Sequence, residues 1–347
     1  MAAARRARYT AGMMRKRNPF ALPARVAAFL LGGVCFGCAL LAQGGRFNGW
    51  LDVLTHFAPM WLLGALLAAA WAAVGERGAT RGALLLLAAG GVLMAGALMV
   101  PELTRAMPPA AARAVPYRLR LIQFNAWDKL ADPRPAADWI DAERPDVVTM
   151  EEVTPGLRTA LIRRGFQCTR GMVNVAIFSR ARRLPHPFLI PLPNWRTLPG
   201  FARATFASAD GGAPFTVVAV HLDWPTLARH WSQPLAFAAL LARYPSDRLI
   251  LAGDFNLTPW SFALRRLDGQ FGPRRRDRAI PTWPAAHRIA GRLEPLPAVL
   301  PIDHVYAGEG WRTVSVTRGP RLGSDHFPLV IDLALANPVT RPAAGGP

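Results

Sequence analysis

Lysine is almost missing from this chain: of 41 basic residues only Lys16 and Lys129 are lysine, and the rest are arginine. An Arg-, Ala- and Pro-rich, Lys-poor composition is what GC-rich coding produces. The net charge of +19 is therefore not in itself a nucleic-acid footprint, although it favours a phosphate-bearing substrate. Cysteine is scarce as well. Cys35 and Cys38 fall inside an apolar run and Cys168 stands alone, which excludes a disulfide framework, a zinc-ligand spacing and a redox CxxC. No glycine-rich phosphate loop is present, and the second part of the chain has no internal repeat.

Charge itself is absent from three stretches, Val26–Gly45, Phe57–Gly75 and Gly82–Pro101. Each is close to the ~20 residues a helix needs to cross a ~30 Å hydrocarbon core. Three in succession with short loops between them predict three transmembrane helices, over about 26–45, 55–75 and 82–101, rather than buried core helices. A cleavable signal peptide is the competing reading of the first run, because basic residues precede it; no small-x-small cleavage site follows, and two spans remain in either case.

Basic residues set the expected orientation. The tail 1–25 carries seven Lys/Arg and no acid, the first loop has Arg46 and Asp52, and the second loop has Arg77 and Arg81. The N-terminus and second loop are expected in the cytoplasm. Everything after Pro101 is then expected beyond the inner membrane, in the periplasm of a Gram-negative cell.

Residues 102–116 read as a Pro/Ala linker and 338–347 as a tail. Between them, 117–337 alternates short apolar runs with helical segments. Strands are expected at 118–125, 146–150, 174–179, 202–207, 215–222, 248–252, 302–306 and 327–333, and helices at 136–143, 155–164, 231–244 and 261–267. Several runs are apolar throughout (VVTM, FTVVAV, LILA), as strands covered on both faces are. The class is α/β, in one domain of packed sheets flanked by helices. The Arg/Pro-rich stretch 272–301 reads as an exposed loop.

Polar residues gather where the apolar runs stop: Gln123-Phe124-Asn125, Glu151-Glu152, His221, Gly253-Asp254-Phe255-Asn256, Asp303-His304 and Ser324-Asp325-His326. An unpaired charge at a buried strand end is costly, whereas one shared metal site neutralises several carboxylates together.

The ordered series QFN, PDVVTMEEV, VHL, GDFN, IDHV and SDHFP resembles the endonuclease/exonuclease/phosphatase superfamily over essentially all of the soluble part. GDFN followed by SDHFP carries most of that resemblance. It implies a four-layer α/β/β/α sandwich of two packed mixed sheets flanked by helices. It also implies Mg²⁺- or Mn²⁺-assisted phosphoester hydrolysis at one edge of the sheets. Matched position by position, Glu152 is the metal-binding glutamate, Asn125 the amide beside metal and phosphate, and Asp325 a further metal position. Asp254 is the residue that deprotonates the attacking water, and Asn256 holds phosphate and nucleophile. His326 is the site histidine oriented by Asp303, and His221 a second histidine on the phosphate. The family usually has Gln where Glu151 stands. Since neighbours on a strand face opposite ways, Glu152 is assigned to the metal and Glu151 to a hydrogen bond with a nearby loop.

Trp127 and Arg203 are candidate substrate contacts, as is the run Arg274–Arg276. Trp224, Trp283 and Trp311 are read as a rim or as core. His304 is expected to be a packing histidine, and His186, His230 and His287 solvated. The expected activity is a membrane-anchored phosphodiesterase or nuclease acting on nucleic acid or on a phospholipid or small phosphoester; no obligate protein partner is implied. The alternative is a catalytically inactive membrane scaffold of the same fold, against which the complete residue set argues.

Overall fold

The computed structural model describes residues 21–111, 118–185, 197–208, 211–226, 233–242, 244–289 and 292–336. The chain divides into two compact units, one of residues up to 44 with 57–99, the other of 45–56 with everything from Val100 onward.

The first unit is built where charge is missing. Helices α1 (Ala21–Ala42), α3 (Ala58–Gly75) and α4 (Gly78–Leu103) cover the three apolar stretches, the last continuing past the unit's end at residue 99. Among the described residues, three helical segments are long and apolar enough to cross a membrane. Small residues let these helices approach closely. A Cβ added at Gly64 would meet the Cys35 Sγ of α1 at 2.4 Å. Arg25 and Glu76 form an ion pair of 2.9 Å within this unit, Glu76 being buried.

The second unit contains the sandwich. One sheet has the order β13-β14-β1-β2-β4-β3, with β1 Arg118–Asn125, β2 Val147–Glu151, β3 Gln167–Arg170, β4 Ala176–Ser179, β13 Trp311–Arg318 and β14 Leu329–Leu335. The other has the order β5-β6-β7-β8-β12-β9, with β5 Arg183–Leu184, β6 Gly200–Phe206, β7 Phe215–His221, β8 Leu249–Asp254, β9 Arg274–Arg275 and β12 Asp303–Ala307. Both are mixed: β1 runs parallel to β2 and β7 parallel to β8, and the other pairings are antiparallel.

Alternate residues of each strand build separate cores. Leu119, Leu121, Val147, Val217, Ala219, Ile250, Ala252, Val305, Leu329 and Ile331 meet between the sheets. On the outer face of the first sheet, Ile122, Phe124, Val148 and Met150 pack with α5 (Arg134–Glu143) and α6 (Pro155–Arg163) through Ala137, Ile140, Leu157 and Leu161. On the outer face of the second, Val218, Val220, Leu249 and Leu251 pack with α7 (Gln233–Leu241) and α8 (Phe262–Gln270) through Phe237, Leu241, Leu264 and Leu267. The result is four layers, helix, sheet, sheet, helix.

Two stretches differ from the sequence reading. Residues 272–301 are not a plain exposed loop. They hold β9 and a hairpin of β10 (Ala286–Ile289) with β11 (Arg292–Pro295), and Arg275, Arg276 and Asp277 are buried. The charges are tolerated because Arg275 pairs with Glu102 at 2.7 Å and Asp268 at 2.9 Å, while Arg276 donates to the carbonyls of Ala307 and Gly308. Nor do residues 102–111 run free as a linker. Arg105 donates to the carbonyls of Arg275 and Asp277, and the Ala111 N–H bonds the Thr313 carbonyl.

The segment 45–56 is docked in the same unit. It carries a short turn of helix, α2 (Gly49–Asp52). The Asp52 carboxylate accepts from the backbone N–H groups of Phe262 and Ala263, adding a second cap to α8 beside its own Ser261 N-cap. His56 Nδ1 accepts from the Thr258 N–H at 3.2 Å, and the Trp260 indole donates to the His56 carbonyl.

Candidate active site

Strand parity explains which polar side chains meet. On β1 Leu119 and Leu121 face the inter-sheet core, so Gln123 and Asn125 follow them. On β7 the inward Val217 and Ala219 lead to His221; on β8 Ile250 and Ala252 lead to Asp254; on β12 Val305 and Ala307 lead back to Asp303. The register sets these ends side by side, with Asp254 opposite both His221 and Asp303, and Asn125 opposite Glu151. Gly253 is required here, since a Cβ on it would lie 1.9 Å from the Val220 carbonyl oxygen.

The same parity puts Glu151, not Glu152, on the inward face of β2. Glu152 reaches the cleft because the strand has ended: its φ is 50°, a left-handed conformation that swings the side chain out of the strand's alternation. The Glu151 side chain bonds no loop. Its Oε2 accepts from the Gln123 amide on the neighbouring strand at 2.9 Å, and the residue is fully buried. Two further residues at this edge, Trp127 (φ 61°) and Asn256 (φ 51°), share the left-handed conformation, and such strain concentrates at functional sites.

Asn125 is the hub. Its amide nitrogen donates to Glu152 Oε1 at 3.1 Å and to Asp254 Oδ2 at 3.0 Å, and its oxygen accepts from the Trp127 N–H. The Asp128 N–H donates to Glu152 Oε2. Trp127 thus acts on the site through its backbone, while its ring lies under Lys129 and Arg288. His221 Nε2 sits 3.8 Å from Glu152 and 3.6 Å from Asp254. Asp254 Oδ1 accepts from the Asn256 N–H, and the Asn256 amide is held by the Leu222 carbonyl.

Behind these lies a buried relay. His326 Nδ1 bonds Asp303 Oδ2 at 2.9 Å, and Nε2 lies 3.7 Å from Asp254 Oδ2. Gln123 donates from one nitrogen to both Asp303 and Glu151. The Ser324 hydroxyl ties this loop to the Asn125 carbonyl and accepts the His326 N–H. Burial works against the imidazolium, but the Asp303 and Asp254 carboxylates outweigh it and hold His326 up at about 10. Burial pushes the Asp254 carboxyl up to about 6, against the pull of the His326 cation. Burial and the adjacent Asp303 push Glu151 well above the ordinary carboxyl range.

Asp325 follows in the same loop. Its Oδ2 accepts from the Trp283 indole at 3.3 Å, and its carboxyl is raised, by burial first and by the Glu152 charge in addition. Trp283 stacks edge-on against Trp224, which borders the cleft beside His221, whereas Trp311 is core.

Other candidates lie elsewhere. Arg203 is three residues along β6 from the position facing His221, opposite the outward Val218, and its guanidinium lies over the Tyr244 ring at 4.7 Å. Arg275 and Arg276 are consumed in burial. His304 faces the outer layer, bonded to Asp277 and the Leu257 carbonyl. His287 is exposed, and His186 and His230 lie outside the described residues. The sequence assigns no role to Gln123 or Ser324 and reads Trp283 only as a rim or core residue; extending the inward parity of β1 by one step finds Gln123.

The donor set suits a hard divalent cation. Glu152 and Asp254 aim oxygens at one amide, Asp325 adds charge, and Asn256 Oδ1 and Asp325 Oδ1 are buried without a hydrogen-bond partner. Asp254, Asp303 and His326 also present donor atoms within 4.8 Å of one another. Both Asp303 oxygens and His326 Nδ1 are already bonded, so the side of the cleft toward Glu152, which is less buried, fits a cation better.

No curated protein matches the chain. Among solved structures, an endonuclease/exonuclease/phosphatase from Beutenbergia cavernae is 22% identical, covering 63% of this chain and 72% of its own, with a TM-score of 0.47. D. rerio TDP2, complexed with a single-stranded DNA product, is 17% identical over 62% of this chain and 98% of its own, with a TM-score of 0.51. The human Nocturnin catalytic domain is 17% identical over 68% of this chain and 98% of its own, with a TM-score of 0.47. The model of the Endonuclease/Exonuclease/phosphatase family matches residues 122–326, from within β1 to His326, and the chain belongs to that family.

Proposed function

We propose that the protein is a membrane-anchored hydrolase of phosphoester bonds that works with Mg²⁺ or Mn²⁺. The observation that carries this reading is the convergence of Glu152, Asp254 and His221 around the Asn125 amide, with the His326–Asp303 pair directly behind. Glu152, Asp325 and the Asn125 amide would hold the cation. When bound, it neutralises phosphate charge and lowers the pKa of coordinated water.

The chain's own groups supply the rest. Asp254, fixed by two N–H donors, accepts a proton from the attacking water once the pH exceeds about 6. The water oxygen bonds to phosphorus as the leaving oxygen departs on the opposite side. His326, kept cationic by Asp303, donates from Nε2 toward a phosphoryl oxygen and stabilises the charge that develops there. His221 offers a second contact from the cleft wall. Asn256 positions phosphate and nucleophile.

The same reading places the N-terminus in the cytoplasm and the catalytic unit across the inner membrane. With three spans, the first loop and everything after the third span share one side. The bonds from Asp52 and His56 to Phe262, Ala263 and Thr258 support that arrangement. A unit facing away from the cytoplasm does not meet the chromosome. The substrate is nucleic acid or a phospholipid or small phosphoester, and the steep salt dependence of nucleic-acid binding separates the two.

The test is hydrolysis of a generic phosphodiester by the full chain in detergent, with Mg²⁺ and with Mn²⁺. Asp254→Asn and His326→Ala should each lose roughly 10²–10⁴ of the rate while staying folded. Full activity in either folded variant would remove the mechanism.

A further inference from the structure

A second cleft, of about 250 Å³, lies away from the catalytic edge. It is lined by Phe47 and Gly49 of the segment 45–56, Pro234 and Leu235 at the start of α7, and Arg266, Leu267 and Gln270 of α8. Its volume is below the ~300–1,000 Å³ usual for enclosed small-molecule sites. Its walls are mostly apolar, with one guanidinium and one amide.

Three large apolar side chains stand open on this segment and helix. Phe47 is 87% exposed, Trp50 60% and Leu235 53%. Arginines accompany this surface: Arg46 lies over both the Phe47 and Phe262 rings, Arg265 lies over Phe262, and Arg266 of the cleft wall is itself exposed. The nearby acids are engaged elsewhere, Asp52 by helix N–H groups and Asp268 by Arg275 and the Tyr306 hydroxyl, so the exposed surface is apolar and cationic.

The chain fixes what this surface meets. Phe47 belongs to the short segment that joins α1, ending at Ala42, to α3, beginning at Ala58, so it lies between two apolar helices. In a membrane-anchored chain this segment stands at the boundary of the bilayer. Aromatic rings and snorkelling arginines are the residues that settle there.

We propose that this cleft binds an anionic phospholipid of the surrounding bilayer. An acyl segment lies along Phe47, Leu235 and Leu267, and the headgroup phosphate is held by Arg266 with Gln270 beside it. The proposal rests on the membrane-anchored reading, not on the hydrolytic one.

The test uses the full chain, purified and stripped of lipid in a neutral detergent, with phosphatidylglycerol or phosphatidylcholine added back. Phosphatidylglycerol should raise the unfolding midpoint of the wild type by about 5 °C, as expected for a ligand well above its Kd. Phosphatidylcholine should give less than half that shift. Arg266→Glu and Phe47→Ser, both at exposed positions, should each lose most of it, while Arg163→Glu on α6, exposed but outside the cleft, should keep it. Equal shifts from the two lipids, or an undiminished shift in Arg266→Glu, would overturn the proposal. So would a lipid-independent dimer that Phe47→Ser dissolves, since a second copy would then cover the patch. Extraction of the chain from membranes by alkaline carbonate would instead show that the anchor reading itself had failed. Loss of hydrolysis with the lipid shift intact would touch only the catalytic reading.

Discussion

A single position, 151, shows how much chemistry hangs on one side chain. A fully buried carboxyl is joined through the Gln123 amide to the Asp303–His326 pair. Because its folded pKa is raised, the native state holds a proton there that the unfolded chain releases at lower pH. Stability from this group is therefore complete below the unfolded value, near 4.3, and declines as pH rises above it. Glu151→Gln keeps the shape and can still accept from Gln123, so it removes that decline. With chelator present, the wild-type unfolding midpoint should fall between pH 4.5 and 8 relative to that of Glu151→Gln. The gap should reach a few degrees, at roughly 2–4 °C per kcal/mol for a unit of this size. Parallel curves would mean that Glu151 is ionised in the folded protein. Hydrolysis by the variant should stay within several-fold of wild type, because the Gln123–Asp303–His326 chain remains bonded.

At the scale of elements, α8 and the turn before it join the catalytic loop to the segment 45–56. Asn256, Thr258 and Ser261 succeed one another in the chain, and His56 holds Thr258 while Asp52 caps the next turn. Asp52→Ala leaves two buried N–H groups without their acceptor and should cost about 0.5–2 kcal/mol. Denaturant midpoints of the full chain would show it, and an unchanged midpoint would mean that the cap contributes nothing. The strands and helices were largely legible beforehand, because apolar runs and their spacing are local signals. The exceptions, which include the short and partly exposed β3 (Gln167–Arg170) and β5 (Arg183–Leu184), have identifiable causes. β13 (Trp311–Arg318) is half-exposed and reads Trp-Arg-Thr-Val-Ser-Val-Thr-Arg, without a continuous apolar run. β9 and the hairpin β10–β11 are so rich in Arg and Pro that only partners distant in sequence, Glu102 and Asp268 among them, make their burial intelligible.

For the molecule as a whole, the boundaries that composition suggests are not those of the compact units. A fragment starting at residue 117 lacks Asp52, His56 and Glu102, and so leaves α8 half-capped and Arg275, 1% exposed, short of one carboxylate. Removing one partner of a buried ion pair costs about 3–5 kcal/mol, and here Asp268 compensates in part. Such a fragment should unfold well below the full chain or fail to stay soluble, and a matching midpoint would refute this. The orientation has its own test. A reporter enzyme that folds only in the periplasm should be active when fused after residue 336 and inactive when fused in the loop at residue 77; the reverse pattern would invert the topology.

Composition and spacing determined the three apolar helices, the α/β class, most strand positions and the set of polar strand ends, because burial periodicity and charge exclusion act over a few neighbouring residues. Tertiary structure decided which carboxylates face one another. Glu152 enters the cleft through a left-handed residue that no alternation rule foresees, and Glu151 turns inward to a partner on the next strand. It also decided that Arg203 lies over Tyr244 and that a loop between two apolar helices belongs to the unit that holds the sandwich. Those outcomes depend on partners dozens to hundreds of residues away, and local sequence carries no record of such distances.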